Sequence, residues 1–154
     1  LMPGKGRVAL KFMPEEAKAK AREIADNMLR QPAFKESFDR YMKAVEEMTR
    51  LHTTHPEAIQ KAKENAYSDL RDRVANVLVK GAARINQKDH NEGAHRQTVP
   101  FEQNIAGSVW RSVWKSIEHE RMRHEAQSEM AKRRELQRQA RIRQQQYQQE
   151  HERE

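Results

Sequence analysis

The chain has 154 residues, 36% of them hydrophobic and 34% charged, with no cysteine and a net charge of +7. That composition allows one domain with a modest core and excludes disulfides and thiolate chemistry. The longest apolar run, around Val77-Leu78-Val79, is far too short to span a bilayer, and the basic balance suits an anionic partner, most often nucleic acid. Few Gly and Pro among many Ala, Glu, Gln, Arg and Lys residues point to long helices. No secretory leader pattern opens the sequence, and a start on Leu1-Met2-Pro3 reads as a piece of a longer protein.

Residues 1–12 hold Lys5, Arg7 and Lys11 and no acid, with Gly4 and Gly6 between them. They read as an extended basic lead-in whose Val8, Leu10 and Phe12 can dock on the domain. A phosphate loop is not indicated, because the full glycine-lysine pattern is missing.

A first helix is expected from Pro14, with Glu15 and Glu16 at the positive end of its dipole. Ala17, Ala21, Ile24 and Met28 give it a helical stripe, and Pro32 ends it. Pro32 also opens the richest apolar segment. There Phe34, Phe38, Tyr41, Val45 and Met48 recur at spacings of four, three, four and three, which places them on one face. The other face carries Glu36–Arg40 and Glu46–Arg50 in the favourable acid-first order. Pro56 opens a third helix with the stripe Ile59, Ala62, Ala66, Leu70, Val74 and Val77. Gly81 is a candidate cap, with Ala82 to Ile85 carrying the helix a further turn. Short connections make antiparallel neighbours, so residues 13–86 read as a three-helix unit.

Residues 87–100 are polar and lack periodicity, and read as a linker. A fourth helix over 101–130 carries Phe101, Ile105, Val109, Trp110, Val113, Trp114 and Ile117 on its stripe. Core packing is the simpler role for that stripe, with a partner-docking face on Trp110 and Trp114 as the alternative. Beyond it, residues 131–154 are basic and Gln-rich, a helical or disordered tail with no face to bury. The expected fold is therefore all-α: an antiparallel three-helix unit plus a long fourth helix extending into a charged arm.

Chemistry is harder to find. His52, His55, His90 and His95 could in principle bind zinc, yet no cysteine accompanies them and they sit in turns and linker, so solvated histidines are the expectation and no metal or cofactor is assigned. No strand–turn–helix elbow exists to position a nucleophilic serine. Tyr41 lies on the apolar stripe and reads as a core residue. The strongest functional pattern is Lys132, Arg133, Arg134, Arg138, Arg141 and Arg143 against the single acid Glu135. Arg134, Arg138 and Arg141 share one helix side and can track phosphates. With Lys5, Arg7 and Lys11 they are the candidate nucleic-acid contacts. The competing reading is a helical protein-interaction or oligomerisation module without nucleic-acid function.

Four segments carry a family resemblance: M-P-G-K-G-R-V-A-L-K-F-M-P at 2–14, K-A-K-A-R-E-I-A-D at 18–26, Q-P-A-F-K-E-S-F-D-R-Y at 31–41 and N-A-Y-S-D-L-R-D-R-V-A-N-V-L-V-K-G-A at 65–82. Together they resemble a helical region C-terminal to the nuclease domain in conjugative relaxases of the MobP/MobL branch. The resemblance spans residues 2–85 and continues beyond 101 only as a charged, Gln-rich tail. It implies a DNA-nicking parent enzyme in the bacterial cytoplasm, with transfer-origin DNA and other relaxosome proteins as partners. The histidine cluster and tyrosine of such enzymes have no counterpart here, so the resemblance implies a non-catalytic part.

Overall fold

The computed structural model describes residues 10–92 and 107–152, the side chains of 82–92 excepted. Every element among them is helical. A short 3₁₀ turn at Leu10–Phe12 precedes α1 (Glu15–Leu29), α2 (Pro32–Arg50), α3 (Pro56–Glu92) and α4 (Gly107–Glu152). None is long and apolar enough to cross a membrane.

Prolines set the first three boundaries. Pro14 takes the extended conformation that precedes α1, and Glu15 and Glu16 fill the first turn. At the other end the Arg30 amide donates to the Asn27 carbonyl and the Gln31 amide to that of Met28, Gln31 turns extended, and Pro32 starts α2 where no amide is needed. Leu51 and His52 close α2, the Thr53 hydroxyl accepts the His55 amide, and Pro56 begins α3.

The three helices expected over 13–86 pack together. α2 and α3 run antiparallel, as Phe38 meets Tyr67, the Tyr41 hydroxyl donates to the Ala66 carbonyl, and Glu46 pairs with Lys63. α1 leans on α3 and touches α2 little. Arg22 forks onto Asp72, and the Leu10 amide donates to Asn76, which pins the lead-in turn to the same helix.

α4 belongs to the core as fully as the other three. Val113 and Ile117 are as deeply buried as Phe34, Leu70 and Val74. It runs parallel to α2, because Ser37, Arg40 and Glu47 pair in rising order with Glu118, Glu125 and Lys132. It is antiparallel to α3, where Arg73 reaches Glu120 and Gly81 faces Val109. Each fully buried aliphatic or aromatic side chain contributes about 1.5–3 kcal/mol, so the shared seam of α2, α3 and α4 dominates stability.

Two expected boundaries move. α3 runs on to Glu92, six residues into the segment expected to be a linker from 87. Gly81 is no cap: it lies inside α3, and a Cβ there would sit 2.6 Å from Val109 Cγ2. Its missing side chain lets α4 approach, and with no Gly or Pro between 82 and 92 nothing stops the helix. The fourth helix, expected from 101, is described from Gly107; Phe101 and Ile105 lie outside the described residues. The tail is continuous helix to Glu152.

Candidate nucleic-acid interface

α4 divides by its neighbours. From Val109 to Glu135 it returns side chains to the bundle at regular intervals, and from Leu136 to Glu152 every residue is exposed. That free length is about 25 Å of helix. It leaves from the end where α2 turns into α3, since Lys132 meets Glu47 near the last turn of α2.

The basic residues of this region have different fates. Lys132 lies 2.7 Å from Glu47 and 3.6 Å from Glu129, and bonding to Glu47 raises its pKa above the ordinary lysine value. It ties α4 to α2. Arg138 grips Glu135 at 2.5 Å through one of its nitrogens, an exposed pair of little energetic weight. Arg133, Arg134, Arg141 and Arg143 are exposed and have no ion-pair partner among the described residues. Arg134, Arg138 and Arg141 share one side of the helix, as their spacing of four and three requires. Lys11 lies far from them in the 3₁₀ turn, exposed, its ammonium 5.0 Å from the Phe12 ring centre. Lys5 and Arg7 fall outside the described residues.

The docked part of α4 uses its charges internally. Arg40 forks onto Glu125 at 2.8 and 2.9 Å, Arg121 holds Glu118 at 2.6 Å and Glu125 at 2.7 Å, and the Ser37 hydroxyl donates to Glu118. The Arg121 hydrogen bond lowers the Glu118 carboxyl and the Arg40 hydrogen bond lowers that of Glu125, each below its ordinary value. Glu120 goes deeper, at 3% exposed. Burial alone would raise its pKa, but the hydrogen bond from Arg123 and the charge of Arg73 outweigh it and hold the carboxyl low. His124 donates to the Glu120 carbonyl at 2.8 Å and meets the Tyr41 ring at 4.6 Å. A groove of about 680 Å³ opens beside this cluster, lined among others by Tyr41, Met48, Asp69 and Gln127.

Tyr41 is the natural suspect for nucleophilic chemistry here, and its surroundings argue against that role. Burial, then the nearby charges of Glu120 and Asp69, push its hydroxyl up to about 12. A phenol of that pKa carries almost no anion at neutral pH, and its proton is committed to the Ala66 carbonyl. Among the described residues no three His, Asp or Glu side chains come together as a metal ion would need. The histidines of the α2–α3 turn, His52 and His55, are both exposed.

Neither a family model, a curated protein nor a solved structure matches this chain. What the site can do follows from its own geometry: an exposed helix offers fixed cations at helical spacing, beside a bundle whose other charges are mostly paired.

Two features went unread in the sequence. Glu120 sits three residues after Ile117 and seven after Val113, in phase with the apolar stripe, and that phase is the signal that it is buried. Arg111 and Lys115 are exposed beside the tryptophans and have no ion-pair partner among the described residues. Trp110 and Trp114 are not core residues: they are 37% and 47% exposed, because Val109, Val113 and Ile117 already fill the seam.

Proposed function

We propose that this chain is a non-catalytic helical part of a DNA mobilisation protein, and that the α4 arm holds DNA by its phosphates. The observation that carries the reading is the far end of α4, where Arg133 and Arg134 stand exposed on its last docked turn and Arg141 and Arg143 on the free length beyond it. Guanidinium groups without carboxylate partners are available to phosphate oxygens and release counterions on binding. The resemblance of residues 2–85 to relaxases supports a role in conjugative transfer within a bacterial cytoplasm, with transfer-origin DNA and relaxosome proteins as partners. Catalysis belongs to another part of the parent protein, and the chain alone is expected to leave supercoiled origin DNA uncut.

The test is DNA binding across a salt series, comparing the chain with a variant carrying Arg133→Gln, Arg134→Gln, Arg141→Gln and Arg143→Gln. Removing one phosphate-bound cation should lower the slope of log K against log salt by about 0.9 on duplex DNA. The variant is expected to lose roughly two or more such units, with its helicity unchanged. An unchanged slope would reduce the arm to a solvated face and end the proposal.

A further inference from the structure

The first turns of α4 carry an aromatic surface that the bundle does not use. Trp110 lies nearly parallel to Phe34, with centroids 5.4 Å apart and planes 22° from each other. Phe34 is buried, so the core side of that stack is closed and the exposed area of Trp110 belongs to the other side and the ring edges. Trp114 follows one helical turn later and is still more open. Neither indole N–H has a hydrogen-bond partner among the described residues. Arg111 and Lys115 alternate with the rings, both exposed and without ion-pair partners among the described residues.

One flat ring backed by a buried phenyl, a second exposed ring one turn on, and open cations beside both match the chemistry of an unpaired nucleobase and its phosphate. Stacking is tolerant of sequence, because every base offers a π face, and it is closed to bases inside a duplex. An apolar partner face would use the rings but would leave Arg111 and Lys115 unanswered. We infer that Trp110, backed by Phe34, and Trp114 form a stacking platform for single-stranded nucleic acid, with Arg111 and Lys115 on the adjoining phosphates. The inference rests on the nucleic-acid reading of the arm but uses a separate surface, about 30 Å away along the same helix. The arm then contributes sequence-independent attraction to any strand, and the platform distinguishes open strands from closed ones.

The chain contains two tryptophans, both at this site, so its entire indole fluorescence reports on the platform. Titrating the full chain with an oligothymidylate and with a mixed-sequence duplex, at one salt concentration, should quench the indoles with the single strand and leave them unchanged with the duplex. Trp114→Ala should weaken single-strand binding about fivefold or more and spare duplex binding, with Trp114→Phe restoring part of the loss. Because Trp114 is the more exposed ring, this variant keeps the test independent of any folding defect in Trp110→Ala. The arm variant should weaken both nucleic acids while leaving the quench at saturation intact. If labelled single strands bind by anisotropy but the indoles stay bright, the platform is refuted and the arm stands. If neither nucleic acid binds, both readings fall. Indoles that become shielded from acrylamide with rising protein concentration, and ignore oligonucleotide, would instead make this face a contact between copies and overturn the inference.

Discussion

The two ends of α4 are made of similar residues and behave differently. In the docked half, Glu118, Glu120, Arg121, Arg123 and Glu125 are bound into pairs with one another and with Arg40 and Arg73. From the last docked turn outward, Arg133, Arg134, Arg141 and Arg143 stand without ion-pair partners among the described residues. What separates the halves is the supply of carboxylates. The docked half carries its own at spacings of three and four and meets Glu47 on α2, so its cations become part of the scaffold. Residues 136–149 hold no carboxylate and lie against no second helix, so the cations there remain available to a ligand. A basic run is thus informative about binding only after the paired members, here Lys132 and Arg138, have been set apart.

The contrast is broken most strongly in the core. Ile117→Ala should cost about 2–5 kcal/mol, because it empties a fully buried site, whereas Ile142→Ala in the arm should change stability by less than about 0.5 kcal/mol. Chemical denaturation of the two variants checks this, and equal losses would mean that the arm is docked.

Acid and base act next. Glu118, Glu120 and Glu125 have folded pKa values below the ordinary 4.5, so the unfolded chain binds protons that the folded one refuses. Their contribution is complete above about pH 4.5 and is lost as pH falls through each folded value. Tyr41 works the other way: its hydroxyl, ordinarily 10.0, is raised to about 12 in the fold. The stability it contributes is present below pH 10 and lost as pH rises towards 12, a loss of about 2–3 kcal/mol. Thermal melts from pH 2 to 12 should show both flanks, and removing 136–152 should shift neither.

A smaller effect is expected at the close approach of α3 and α4. Gly81→Ala gains helix propensity but forces Val109 to move, and the net should be a loss of about 1 kcal/mol. In a Val109→Ala background the same substitution should become neutral or stabilising, and a double-mutant cycle reads the coupling.

The smallest effect concerns Ser128. Its hydroxyl is buried at 2% exposure with no hydrogen-bond partner among the described residues, in the seam that includes Ala44. Ser128→Ala removes an unsatisfied polar group, so it should be neutral or stabilising by up to about 1 kcal/mol in urea unfolding.

Much of the fold is written locally. Pro14, Pro32 and Pro56 mark their boundaries because proline lacks an amide and fixes its own backbone angle, effects that need no distant partner. The stripes on α1, α2 and α3 name part of the core through helical spacing, Ile24, Met28, Phe34, Tyr41, Leu70 and Val74 among them, but not Ala25, Leu29, Ala44, Ala75 or Leu78, which are buried beside those stripes by a further neighbouring helix. The extent of α3 was not legible, because Gly81 reads as a terminator until Val109 is seen to occupy the space it leaves. Nor was the alignment of α4 with α2, since Arg40–Glu125 and Lys132–Glu47 are pairings across about 85 residues of sequence and charge patterns do not fix such partners. At the candidate interface the basic run was visible, but which of its members were already occupied was not.

The absence of any Gly or Pro in α4 after Gly107 has a mechanical consequence. An uninterrupted ladder of backbone hydrogen bonds makes the arm a lever whose pivot is the α2–α4 seam. A rotation of α4 by a few degrees at Ser128 would swing the tip of the arm by roughly two or three ångströms, given about 1.5 Å of length per residue. The aim of the arginines is therefore set by residues such as Ala44 and Ser128, which touch no ligand, and repacking that seam would redirect the arm without altering a single residue on it.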